Sequence, residues 1–107
     1  MEFEQVRAQA LSLPEVTEAP HFDRTSFRVR GKIFITARPD EKHVHLFVGE
    51  QDRELALALH PEFAEKLMWG ARVVGLRIAL AKASPAVVSH LVHKAWANKA
   101  PKSLVGE

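Results

Sequence analysis

The chain contains no cysteine among its 107 residues, which removes thiolate catalysis, zinc fingers and redox switching. Apolar runs are short, and none approaches the roughly 20 residues needed to span a bilayer. The start, Met1-Glu2-Phe3-Glu4, lacks the basic and apolar character of a secretory signal, so a cytoplasmic domain without membrane attachment is expected. Glycine is scarce too. None of the five stands in a G-x-G-x-x-G or Walker-type cluster, which argues against a nucleotide cradle. No nucleophile–base pair is visible, so no catalytic residue, metal or cofactor is assigned and a non-enzymatic role is expected.

What is present suits an ordinary globular domain. Hydrophobic residues make up 47% and charged residues 26%, enough for one core spanning 1–107 without a metal or disulfide staple. Phe3, Val6, Ala10 and Leu13 recur at helical spacing over 2–13, and Pro14 ends that helix. The segment from Pro14 to Asp23 reads as a loop. Three strands follow by alternation. Phe27 and Val29 alternate with Ser26, Arg28 and Arg30; Ile33, Ile35 and Ala37 with Phe34, Thr36 and Arg38; Val44, Leu46 and Val48 with His43, His45 and Phe47. A turn at Pro39-Asp40-Glu41-Lys42 places Ala37 opposite Val44 and Ile35 opposite Leu46. A three-residue loop, Arg30-Gly31-Lys32, places Val29 opposite Ile33 and Phe27 opposite Ile35.

A second helix is predicted over Gln51–Leu59 with Leu55, Ala58 and Leu59 inward. Pro61 breaks it and begins a further turn through Phe63 and Leu67, and Trp69-Gly70 is read as a bend. Val74, Leu76, Ile78 and Leu80 mark a fourth strand. Ser84-Pro85 starts a last helix, the hydroxyl capping and the proline at the first position, with Val88, Leu91, Val92, Ala95 and Trp96 as its buried stripe. The order α-β-β-β-α-β-α gives an α+β domain, an antiparallel sheet with helices on its apolar face.

Charge is uneven along the chain. Residues 1–23 hold one Arg against five acids, and 24–38 hold five bases and no acid; 39–65 hold two bases against seven acids, and 66–107 seven bases against one. Such alternation can place basic and acidic surfaces on different sides of a domain. The sheet face opposite the core would carry Ser26, Arg28, Arg30, Phe34, Thr36, Arg38, His43, His45 and Phe47. Basic residues with two rings, Phe34 and Phe47, are what single-stranded nucleic-acid binders use: charge tracks phosphates and rings stack on bases. The same rings can equally pack beneath a neighbouring element. His43-x-His45 suits a metal by spacing but brings only two ligands, His90 and His93 fare no better, and His21 beside Asp23 has no nucleophile partner. Trp69 and Trp96 read as core or rim packing.

The stretch from Leu11 to Phe22, Leu-Ser-Leu-Pro-Glu-Val-Thr-Glu-Ala-Pro-His-Phe, followed by Ser26-Phe-Arg-Val-Arg-Gly-Lys-Ile-Phe34, resembles the MmcQ/YjbR family. The ending, Trp96 and then Ala100-Pro101-Lys102, is similar to that family's ending. His60-Pro61-Glu62-Phe63 and Trp69-Gly70 look like its middle, with Trp and Gly in the opposite order to the family's Gly-Trp. The resemblance implies a compact YjbR/CyaY-like fold, comparable to the bacterial frataxin homologue and described as a double-wing DNA-binding arrangement. DNA is therefore the first expected partner. Phosphate contacts would come from Arg28, Arg30, Lys32 and Arg38, with Arg77, Lys94, Lys99 and Lys102 as further contacts and Phe34 and Phe47 as stacking rings. The competing reading is a protein- or small-ligand-binding module in which the acidic segment 39–65 meets a basic partner. A frataxin-like fold also raises iron binding by Glu2, Glu4, Glu15, Glu18 and Asp23, although these acids straddle a helix and a loop. A monomer is the expected state.

Overall fold

In the computed structural model the described residues are 1–38 and 42–105. Helix α1 (Phe3–Ser12) is followed by strands β1 (Val16–His21), β2 (Arg24–Val29), β3 (Lys32–Ala37) and β4 (His43–Leu46). Helix α2 (Glu50–Leu59) leads into β5 (Ala64–Trp69) and β6 (Arg72–Ala79). A short 3₁₀ turn (Leu80–Lys82), helix α3 (Pro85–Lys99) and the four-residue helix α4 (Lys102–Val105) complete the described chain. The strands form one antiparallel sheet in the order β1-β2-β3-β4-β6-β5. No helix among the described residues is long and apolar enough to cross a membrane.

The inner register follows the apolar alternation. Ile35 pairs with Leu46 and Ala37 with Val44, as expected, and Leu46 and Val44 pair in turn with Leu76 and Ile78 of β6. Phe27 pairs with Ile35, also as expected, so Phe27, Ile35, Leu46 and Leu76 make one fully buried rung. Burying a side chain of this size stabilises by about 1.5–3 kcal/mol. Helix α3 covers β3 and β4 with Val88, Leu91, Val92, Ala95 and Trp96, the stripe read from its spacing, and α1 packs against α3 and β1. The Trp96 indole donates to the Pro14 carbonyl at 3.1 Å, tying α3 to the segment after α1.

Several expectations are corrected. The segment after Pro14 is not a loop but edge strand β1, and Ala64–Trp69 is not a turn and bend but the other edge strand, β5. Edge strands are half-solvated and need no alternation, and Pro20 is tolerated in β1 because an edge can spare a donor. The β2–β3 turn has two residues, not three. Val29 pairs with Lys32, and Arg30 (φ 49°) and Gly31 (φ 83°) take the two left-handed positions of a type I′ turn. A bulge then pairs Arg28 with Ile33 and Phe27 with Ile35, so Phe34 is the extra residue of β3 and is fully buried, not solvent-facing. Ser26 and Thr36, expected on an open face, are also buried. Ser26 Oγ donates to the Ala19 carbonyl (2.8 Å) and accepts from Arg28 Nε (3.0 Å), the arginine lying over it. In α2 the buried residue is Ala56, while Leu55 and Leu59 are exposed. Ser84 makes no side-chain cap at α3, where Pro85 provides the start. The expected turn at Pro39-Asp40-Glu41 lies outside the described residues.

Gly75, in the middle of β6, sits where a Cβ would lie 2.5 Å from the Leu46 carbonyl oxygen and 3.4 Å from Phe47 Cα, both backbone atoms. Gly75→Ala should therefore push β6 off β4 and cost about 1–3 kcal/mol, read as a lowered melting temperature. An unchanged melt would contradict this approach of the two strands.

Candidate functional site

The expected basic face is largely neutralised by its neighbours. Arg30 makes two hydrogen bonds to Glu15 (2.7 and 3.0 Å), which hold the Glu15 carboxyl below the ordinary glutamate range and raise the guanidinium. Arg38 is paired with Asp23, and Arg77 reaches Glu65 at 2.6 Å. Arg28 is bound to Ser26 and the Pro20 carbonyl. Each pairing follows from the sheet: β1 pairs with β2, which brings Glu15 beside Arg30; β2 pairs with β3, which brings Asp23 beside Arg38; and Glu65 of β5 faces Arg77 of β6. The alternation of charge along the sequence thus becomes cross-strand compensation, not segregated surfaces.

The remaining expected cations divide between two regions. Lys32 is exposed at the β2–β3 turn; Lys94, Lys99 and Lys102 lie on α3 and α4, away from the sheet face. No ion pair involves any of these four among the described residues. Phe34 is unavailable for stacking. Phe47 is half-buried, its N–H donates to the Phe34 carbonyl at 3.1 Å, and it lines a cavity.

That cavity has a volume of about 610 Å³. Phe47, just after β4, and Leu67, Met68 and Val73 of β5 and β6 supply apolar walls, and His21 contributes from β1. Arg72, at the start of β6, and Asn98 and Lys99, at the end of α3, supply the polar part. Asn98 donates to the Phe47 carbonyl at 2.9 Å, joining the helix end to the strand. Trp69 stands at its mouth with 77% of its surface exposed, and no carboxylate lines it among the described residues. The local sequence explains the display. Trp69 pairs with Arg72 around the two-residue turn Gly70-Ala71, and Gly70 (φ 62°) takes the left-handed first position of a II′-type hairpin.

Trp69, expected to be packing, is therefore a surface ring, whereas Trp96 is buried as expected. Sequence reasoning missed Trp69, Met68 and Arg72. The signal was a Gly-containing two-residue turn between Leu67-Met68-Trp69 and Arg72-Val73-Val74, read as a bend. Phe22 is a further ring on display. It is 93% exposed, holds a left-handed backbone (φ 59°) in the β1–β2 turn, and packs edge-on to the cavity residue His21 at 4.8 Å.

The histidine and acid motifs converge less. His45 lies beside Thr36 (3.4 Å), His93 tilts against Trp96 (5.6 Å), and His60 stacks on Phe63 (5.1 Å). No group of three His, Asp or Glu side chains suited to a metal occurs among the described residues. Of the acids considered for iron, Glu18 is engaged by Arg7 and Thr25, Glu15 by Arg30 and Asp23 by Arg38.

A six-stranded antiparallel sheet with α1 and α3 packed together over its apolar rungs defines the class, an α+β domain with one continuous core. The chain belongs to the YjbR family, whose model matches residues 11–98. It is similar in fold to a crystal structure of a Deinococcus radiodurans protein of domain type DUF419 (TM-score 0.75, 15% identity), with 89% of this chain and 75% of that one covered. No curated protein matches it.

The two indoles give a direct check on the site. Trp69→Phe should remove the red-shifted, acrylamide-quenchable emission and leave the protected emission of Trp96. Loss of the protected component instead would contradict the exposed position of Trp69.

Proposed function

We propose that this YjbR-family domain is a non-enzymatic, cytoplasmic nucleic-acid-binding module that engages single strands at the Trp69 cavity. The carrying observation is the composition of that cavity: an exposed indole, a half-buried phenyl ring, and Arg72 and Lys99 without any lining carboxylate. A nucleotide chain matches both chemistries, since its bases stack on aromatic faces and its phosphates seek cations. Phe22 beside His21 offers a second surface for stacking. Of the phosphate contacts expected from sequence, Lys99 lines this cavity, and Lys32 has no ion pair among the described residues. Arg30, Arg38 and Arg77 already hold carboxylates, and freeing them would forfeit those pairs. Stacking without base-edge readout makes binding weak and tolerant of sequence.

Anisotropy of a labelled oligo-dT in low salt tests the reading. Trp69→Ala should weaken binding by about 1–3 kcal/mol. Arg72→Ala and Lys99→Ala should each flatten the log–log salt dependence by about 0.7. Arg30→Gln and Arg77→Gln should leave the slope unchanged. Absence of binding at high micromolar protein would end this reading.

A further inference from the structure

The apolar stripe of α2 has no place in the core. Leu55, Ala58 and Leu59 follow helical spacing, yet all three are exposed, Leu55 by 56% and Leu59 by 61%; only Ala56 is buried on this helix. Two leucines one turn apart, both more than half in water, are a costly arrangement for a helix that could turn them inward. They form one wall of a groove whose other wall is Val87, His90 and Leu91 of α3, with a cavity of about 160 Å³ between them.

Helix α2, which walls this groove, carries a net negative charge. Asp52 lines it, and α2 carries Glu50, Asp52 and Glu54 against Arg53, which is itself paired with Glu54 at 2.9 Å. Glu62 stands just beyond, 4.0 Å from the groove residue His60. No Lys or Arg lines the groove among the described residues. From Asp52 to His60 the groove runs about 12 Å along α2, the length of two helical turns. Apolar anchors at i and i+4 beside the Asp52 carboxylate are the counterpart of a helix with leucine-like residues on one face and lysine or arginine next to them.

We infer that the α2–α3 groove docks a basic amphipathic helix from a partner protein, seated on Leu55 and Leu59 and steered by Asp52. This goes beyond nucleic-acid binding and uses a different surface, so either reading can fail alone. The acidic stretch around α2 is then a recognition element, not merely a solvated face.

The test uses the full chain and a labelled 14-residue model peptide with leucines at i, i+3, i+4 and i+7 and lysines elsewhere, followed by anisotropy. A peptide with glutamates replacing the lysines is the control. The lysine peptide should bind, and the glutamate peptide should bind at least tenfold more weakly. Leu55→Ser with Leu59→Ser should weaken the lysine peptide at least tenfold, with the melting temperature lowered by no more than a few degrees because both side chains are more than half exposed. Asp52→Asn should weaken it severalfold and reduce its salt dependence. No binding at high micromolar protein, or equal binding by the double variant, would overturn the proposal. So would a concentration-dependent dimer in light scattering that the double variant abolishes, because the groove would then belong to a second copy.

Discussion

The antiparallel register of β2, β3, β4 and β6 is the constraint on which the rest of the molecule depends. One rung, Phe27-Ile35-Leu46-Leu76, is apolar throughout and must be covered, which fixes α3 over the middle of the sheet. The next, Ser26-Thr36-His45-Arg77, is polar throughout, and two of its members are buried by their own neighbours. A slip of one residue would exchange these two rungs between faces. The absence of a side chain at Gly75 lets β6 approach β4 closely enough to hold that register.

Charge compensation follows from the same register. Exposed ion pairs contribute only about 0–1 kcal/mol each, so the Arg30–Glu15 and Arg77–Glu65 pairs do not hold the sheet together. What they do is set a carboxylate beside each of these arginines on the sheet. Among the described residues, cations without a carboxylate partner include Lys32 at the β2–β3 turn and Lys94, Lys99 and Lys102 on α3 and α4. One of them, Lys99, meets Arg72 and the exposed Trp69 around one cavity.

Legibility from sequence tracked burial. The β3–β4 register and the α3 stripe could be read because the residues that carry them, Ile35, Ala37, Val44 and Leu46 on the strands and Val88, Leu91, Val92, Ala95 and Trp96 on the helix, are all buried. Edge strands β1 and β5 were invisible, being half-solvated, and β5 mixes Glu65 and Lys66 with Leu67 and Met68. The bulge that internalises Phe34 depends on Arg30 accepting a left-handed backbone, which its side chain does not announce. On α2, Leu55, Ala58 and Leu59 were expected inward and are exposed, since spacing reports an apolar face without saying whether anything covers it. At the cavity, Phe47 and Lys99 were legible as candidates. Trp69 was not, because an indole beside glycine suits packing and display equally well.

The central claim is that aromatic and cationic groups around Trp69, not the arginines of the sheet, meet nucleic acid. Backbone and indole N–H chemical shifts recorded during titration with oligo-dT test it most directly. The account predicts that perturbations concentrate on the Trp69 indole, Gly70, Arg72, Phe47, Asn98 and Lys99 and spare Arg30, Arg38 and Arg77. Perturbations centred on those arginines, or none at saturating oligonucleotide, would contradict it.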